Sequence, residues 1–124
     1  VMNGRALESG GKFAALRRVG RKGDMRNNMH AGGTVEMARV DDRMLRLVDM
    51  VRPKLVADGM WLVGLDIVED KLMEINVFSP GGLGVAQSML KKDFALEVIR
   101  DLERKVAYKS YYGGNVPNRE LATL

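Results

Sequence analysis

The 124-residue chain contains no cysteine, which excludes disulfides and thiol chemistry and fits a reducing, cytoplasmic setting. It has one histidine, His30. A lone histidine in a glycine-rich stretch is more often solvated than a ligand, although contact with substrate or metal is open to it. No apolar run approaches the length needed to span a bilayer, and no signal-peptide pattern stands at the start. What is present suits one domain of ordinary size: 46% hydrophobic residues to fill a core and 29% charged residues to cover it. The nine methionines are scattered and read mostly as core filler. The formal net charge is +4, and the excess is local, with Arg17, Arg18, Arg21, Lys22 and Arg26 falling within ten residues. Such a cluster suits an anionic ligand, either a nucleotide phosphate or a nucleic-acid backbone; it also suits a solvated basic loop.

Acidic residues are fewer, and three oxygen-bearing side chains have an informative spacing. Asp66 ends the apolar stretch Trp61–Asp66, a polar turn follows at Glu69-Asp70-Lys71, and Glu74 and Asn76 then come two residues apart. In a strand, Glu74 and Asn76 share a face, and a tight hairpin lays Asp66 beside them. Few carboxylates, with the remaining positions left to water and phosphate oxygens, is the arrangement magnesium prefers. The alternative is a hairpin with two acids on its solvated face.

Along the chain, Val1-Met2-Asn3-Gly4 reads as the end of a strand entering a turn, as in a piece of a longer protein. Asn3-Gly4 is a strong hairpin signal, with a returning strand to residue 8. Lys12–Val19 is a second extended segment. Residues 20–35, rich in glycine and charge, read as a long mobile loop of the kind that carries function. A helix is expected from a cap at Asp41 or Asp42, with Met44, Leu47, Val48, Val51 and Leu55 on one face, kinked or shortened at Pro53 and stopped at Asp58-Gly59. Trp61–Val68 is apolar on both faces, which places it deep in a sheet. In Lys71–Phe78, simple alternation puts Met73, Ile75 and Val77 on one side and Leu72, Glu74, Asn76 and Phe78 on the other. After the Ser79–Gly82 turn, a short helix runs to Lys92. A longer one follows from Asp93 and packs through Phe94, Val98, Leu102 and Val106. Residues 108–124 show no period and read as a loosely held tail.

Four stretches together resemble the C-terminal half of an ATP-grasp ligase, most closely the bacterial glutathione synthetases. They are Ala15–Val19, Met25–Gly33, Val63–Ile67 and Glu74–Pro80. The Gly64-Leu65-Asp66 … Glu74-Ile75-Asn76-Val77 … Ser79-Pro80 combination is the specific part, and the resemblance covers about residues 1–105.

It implies an α+β module, the C-terminal part of the ATP-grasp fold, with a mostly antiparallel sheet and helices packed on one face. Residues 1–107 would form this half domain, with the N-terminal half absent. It implies Mg²⁺ or Mn²⁺ held by Asp66, Glu74 and Asn76 against ATP phosphates. It implies Arg18 and Arg26 as catalytic phosphate contacts, Asn28 near the phosphates, and Ser79 and Pro80 beside a peptide or amino-acid substrate. A planar guanidinium suits phosphate oxygens because it binds them bidentately.

The reaction implied joins a carboxylate to an amine through an acyl phosphate, with γ-glutamyl-cysteine and glycine as the family default. Close relatives usually carry a threonine after Ser-Pro, whereas this chain has Gly81-Gly82-Leu83-Gly84, which leaves the acceptor open. The upstream half would supply the other phosphate lysines, the adenine pocket and the first-substrate domain, so this piece alone is expected to be inactive. The reading from a different class is a non-catalytic half domain that binds anions or docks on a partner. An interrupted sheet edge would favour self-pairing, and nucleic acid is the less favoured partner.

Overall fold

The computed structural model describes residues 1–19, 34–77 and 80–124. Within them lie three two-stranded antiparallel ladders and four helices, the small α+β assembly expected. The first ladder joins β1 (Glu8–Ser9) to β2 (Lys12–Phe13), the second β3 (Leu16–Val19) to β4 (Thr34–Met37), and the third β5 (Gly64–Val68) to β6 (Lys71–Asn76). The helices are α1 (Asp42–Ala57), α2 (Leu83–Leu90), α3 (Phe94–Tyr111) and α4 (Asn118–Leu121). No helix among the described residues is long and apolar enough to cross a membrane.

The Asn3-Gly4 turn forms as its sequence dictates. Both residues have positive φ, 54° and 67°, which the tightest hairpin turn requires. Gly4 is needed for a second reason: a Cβ there would stand 2.6 Å from Cγ of Arg52 on α1. The return from this turn is short. Only Met2 and Arg5 pair, and Met2 also bridges Leu62. Asn3 N donates to the Trp61 carbonyl at 2.8 Å and Val63 N to the Val1 carbonyl at 2.9 Å. Residues 1–3 therefore pair with the segment that leads into β5, and the extended strand expected up to residue 8 is replaced by the small β1–β2 hairpin. The long strand expected over Lys12–Val19 is likewise broken at Ala14-Ala15 into β2 and β3.

The α1 helix begins at the expected cap. The Asp41 carboxylate accepts from the Arg43 and Met44 amides, both at 3.0 Å, and these bonds hold its pKa below the ordinary 3.8. Val48 and Leu55 are buried and Met44, Leu47 and Val51 half-buried, so the predicted stripe is the inner face. The helix is not shortened at Pro53 and runs to Ala57, where Asp58-Gly59 stops it as expected. Pro53 lies on the exposed side, where water can serve the carbonyl left unpaired one turn earlier. Gly59, at φ 69°, ends the turn beyond the helix.

The main core gathers Leu7, Ala86, Leu90 and Phe94, with Met2, Ala14, Leu16, Leu83 and Val98 packed against it. It ties α2 and the start of α3 to the N-terminal segments. Two expectations fail around it. β5 is not deep in a sheet: its one ladder partner among the described residues is β6, and Val68 is 58% exposed, while Val63 just before it is 2% exposed.

The α3 stripe also differs. Phe94 is fully buried, but Leu102 and Val106 are 41% and 62% exposed, and the buried positions further along are Asp101 and Lys105. A spacing of four residues drifts by about 40° per step around a helix, so Val106 lies roughly 120° from Phe94. Asp101 and Lys105 return to within about 20° of it.

The Asp101 carboxylate is held by four donors. It accepts from Trp61 Nε1 at 2.5 Å, Asn3 Nδ2 at 3.0 Å, Lys105 Nζ at 3.0 Å, and Arg104 Nη2. Burial raises its pKa, the hydrogen bonds from Arg104, Lys105, Trp61 and Asn3 lower it, and the balance lies below 3.8. A carboxyl with a depressed folded pKa contributes stability that is complete above its unfolded value. That contribution is lost as pH falls through the folded value. Urea unfolding at pH 7 and pH 3 is therefore expected to show an acid loss of stability that is smaller in Asp101→Asn. Lys105 runs the other way: burial lowers its pKa despite Asp101, so its charged form costs stability that rising pH relieves.

Residues 108–124, expected to be loose, are held down. The α3 helix extends to Tyr111, Val116 and Ala122 are buried, and Lys105 Nζ donates to the Leu121 and Leu124 carbonyls at 2.6 and 3.2 Å. Tyr108 Oη donates to Glu120 Oε1 at 2.8 Å, and burial and this carboxylate contact together pin the short α4 turn against α1 and α3.

Candidate metal and phosphate site

The β5–β6 hairpin is closed by a two-residue turn, Glu69-Asp70, with Glu69 at φ 57°. Val68 opposes Lys71 and Ile67 opposes Leu72. The register then shifts by one, so that Asp66 opposes Glu74, Leu65 opposes Ile75, and Gly64 opposes Asn76. Met73 is the residue left without an opposite number, and it is 66% exposed. Directly opposed residues of an antiparallel pair project on the same face with Cβ atoms about 5 Å apart. Asp66 and Glu74 are therefore neighbours, and Asn76 follows one step along the same face.

The irregularity is what sorts the faces. Simple alternation put Leu72 with Glu74; in the structure Leu72 pairs with Ile67 on the reverse side, where Leu65, Ile67, Leu72 and Ile75 are all half-buried. Glu74 is exposed and Asp66 half-buried. Bulges re-aim side chains in this way, and nothing in the apolar/polar pattern of Lys71–Asn76 signals one.

Arg18, on β3, approaches this face from outside the hairpin. Its Nη2 donates to Asp66 Oδ1 at 3.4 Å, with the two side chains 48% and 38% exposed. The pair is long and partly solvated, so it is easily opened by an arriving anion. Opposite Asn76, Gly64 leaves a gap that a side chain would fill: a Cβ there would lie 3.5 Å from Asn76 Cβ and 3.4 Å from Pro80 Cβ. Pro80 thus stands near Asn76 across Gly64. Gly82 in the same turn reaches Leu16 of β3, at 3.4 Å from a built Cβ to Leu16 Cδ1. The role of Gly64 as the small residue between Asn76 and Pro80 had no separate signal in the sequence.

Arg18, Asp66, Glu74, Asn76 and Pro80 are thus grouped on one side of two adjoining ladders. Arg26, Asn28, His30 and Ser79 lie outside the described residues. Val19 and Thr34 are directly opposed in the β3–β4 ladder, and Thr34 and Val35, expected in the loop, belong to β4. Two surface clefts, of about 360 and 310 Å³, lie elsewhere; the first is lined by Asn3, Arg5, Glu97 and Arg104 and the second by Phe13, Leu45 and Val48.

The donors suit a magnesium ion. Two carboxylates and one amide oxygen are hard ligands on one face, exposed enough to leave room for water and phosphate. Among the described residues there is no cluster of three or more acidic, histidine or cysteine side chains of the kind that cages a metal by protein groups alone. A site with two carboxylates instead needs a ligand to complete it.

Residues 1–91 match the prokaryotic glutathione synthetase ATP-grasp domain family. The chain is 41% identical over 92 residues to a glutathione synthetase of Coxiella burnetii, which covers 74% of this chain and 29% of that protein. It is 44% identical over 77 residues to one of Gloeobacter violaceus (62% and 24%), and 34% identical over 91 residues to one of Vibrio parahaemolyticus (73% and 29%). The matched part of the chain thus covers 24–29% of the length of these relatives. No solved structure matches it. With the family match covering residues 1–91 of 124, the chain belongs to the prokaryotic glutathione synthetase ATP-grasp domain family.

Proposed function

We propose that this chain is the metal- and phosphate-handling part of an ATP-dependent carboxylate–amine ligase of the glutathione synthetase type. The reaction would join γ-glutamyl-cysteine to glycine through an acyl phosphate. The observation that supports this reading most is the direct opposition of Asp66 and Glu74 on one hairpin face with Arg18 at its side. Asp66, Glu74 and the Asn76 amide oxygen would hold Mg²⁺ or Mn²⁺, which supplies charge neutralisation for the ATP phosphates when bound.

The chain's own groups have distinct tasks. Arg18 exchanges its loose bond to Asp66 for phosphate oxygens, which its planar fork can grip in pairs. Arg26 and Asn28 would serve the same phosphates, and Ser79 and Pro80 the acceptor substrate. Pro80 lies beside Gly64 and Asn76, so a substrate held at Pro80 would sit next to the metal-side strand. Because the chain covers 24–29% of these relatives, the remaining phosphate contacts and the adenine pocket are assigned to other parts of the protein.

The test is calorimetric titration of ATP into the chain with and without Mg²⁺, and with Glu74→Gln. Binding that requires the metal and weakens at least tenfold in Glu74→Gln is the expected outcome, as for loss of a charged ligand from an oxygen site. Metal-independent binding that is indifferent to Glu74 and steeply dependent on salt would favour plain anion or nucleic-acid binding instead.

A further inference from the structure

We infer that Asp101, on α3, is the positioning residue that sets the seat of the Asp66–Glu74 hairpin, acting through Trp61 and Asn3. What the hairpin holds rests on the function proposed above; how the hairpin is held does not.

The β5–β6 hairpin has no second ladder partner among the described residues, and a lone two-stranded hairpin is marginal in water. Its orientation must come from its root and from the side it packs. The Arg18–Asp66 pair midway along it is long and partly exposed, so it holds the hairpin only weakly. The root is different. Trp61–Val63 pairs with Val1–Asn3 through backbone bonds of 2.8 to 2.9 Å. Both partners of that pairing also donate side-chain bonds to one carboxylate: Trp61 Nε1 to Asp101 Oδ2 and Asn3 Nδ2 to Asp101 Oδ1.

Asp101 is 7% exposed, and its charge is matched by Lys105, which is 4% exposed, and by Arg104. Charge-assisted bonds in such a setting are the strong ones. The Asn3 amide is turned toward the carboxylate although this leaves its Oδ1 buried without a partner in the structure. The Lys105 ammonium lies 6.0 Å from the centre of the Trp61 ring, which fixes the indole from a second direction.

Geometry gives this root its leverage. Asp66 lies five residues beyond Trp61, or about 17 Å of extended chain. A tilt of about 3° at the indole therefore carries the Asp66 carboxylate about 1 Å, a displacement large enough to impair a pre-organised site.

The test compares the 124-residue chain with Asp101→Asn and Trp61→Phe, at urea concentrations where all three are folded. Asp101→Asn keeps the shape and removes the charge; Trp61→Phe removes the donor and keeps the aromatic bulk. Amide hydrogen exchange is expected to accelerate about tenfold at residues 64–68 and 71–76 in both variants, with α1 residues 45–57 keeping wild-type protection. Mn²⁺-ATP affinity is expected to fall about fivefold in both, with Asp66 and Glu74 untouched. Hairpin amides that exchange at wild-type rates in both variants, or amides that all accelerate by one common factor, overturn the assignment. If the wild-type chain binds no Mn²⁺-ATP, the proposed function fails separately and the exchange pattern alone decides the positioning role.

Discussion

Asp66→Ala is expected to abolish metal-dependent nucleotide binding while leaving the stability of the chain almost unchanged. The two halves of that expectation rest on different magnitudes. For folding, Asp66 contributes one side-chain bond among the described residues, to Arg18 at 3.4 Å, between side chains 38% and 48% exposed. Solvated pairs of this kind are worth about 0–1 kcal/mol and less as salt rises, so the urea midpoint should barely move. For binding, the site has two carboxylates among the described residues, and removing one halves its formal charge. Even outer-shell partners of metal ligands cost about 10–100-fold when lost, so a ligand itself should cost on the order of a hundredfold or more.

The hairpin carries its own control. Glu69 and Asp70 are exposed acids in the same turn, away from the Asp66–Glu74 pairing. Neutralising either changes the net charge by the same amount as Asp66→Ala. Mn²⁺ titration followed by calorimetry should therefore separate Asp66→Ala from Glu69→Gln and Asp70→Asn. Equal losses in all three would mean that the hairpin attracts cations only through its overall charge.

How far the sequence disclosed this arrangement depends on what each residue needed. The Asn3-Gly4 turn, the Asp41 and Asp93 caps and the ends of α1 follow from local chemistry, because a left-handed turn or an orphan amide is satisfied by the nearest few residues. The meeting of Asp66 with Glu74 was also legible, since a two-residue turn leaves a strand little choice of partner. The register shift that leaves Met73 unmatched was not. Apolar and polar residues alternate in the same way with or without a bulge, and it is the pairing of Ile67 with Leu72, a contact between strands, that reveals it.

Burial in the Trp61–Val68 strand was over-read for a related reason. An apolar strand states that it prefers cover, and it does not state how many neighbours the described chain supplies. The approach of Arg18 to Asp66 joins residues 48 positions apart through two separate ladders. No local pattern marks it: the basic cluster and the family resemblance both make Arg18 a phosphate contact, and neither pairs it with Asp66. On α3 the stripe rests on period alone, and there the four-residue spacing chooses the wrong side.

That choice can be put to a direct comparison, because the two stripes on α3 predict opposite mutant series. If Phe94, Val98, Leu102 and Val106 formed one packed face, truncating Phe94 and Leu102 would both be severe. In the structure Phe94 has no exposed surface and packs with Leu7, Ala86 and Leu90, whereas Leu102 is 41% exposed. Phe94→Ala should therefore cost about 3–5 kcal/mol, the sum of lost transfer energy and the cavity left among groups that cannot fully collapse. For a domain whose total stability is about 5–15 kcal/mol, this removes a large part of it, and the variant should be partly unfolded well below the wild-type transition temperature. Leu102→Ala should stay within about 0.5 kcal/mol of wild type, as an exposed substitution touching no cap, cavity or buried polar group. Urea melts followed by Trp61 fluorescence measure both, and the indole donates to Asp101 with the Lys105 ammonium 6.0 Å from its ring centre, so its signal follows the α3 contact itself. Comparable losses in the two variants would restore the four-spaced stripe and displace Asp101 and Lys105 from the buried side of α3. A wide gap between them fixes the inner face as Phe94, Val98, Asp101 and Lys105, two apolar residues that supply the burial and two charged ones that fix what the helix is docked against.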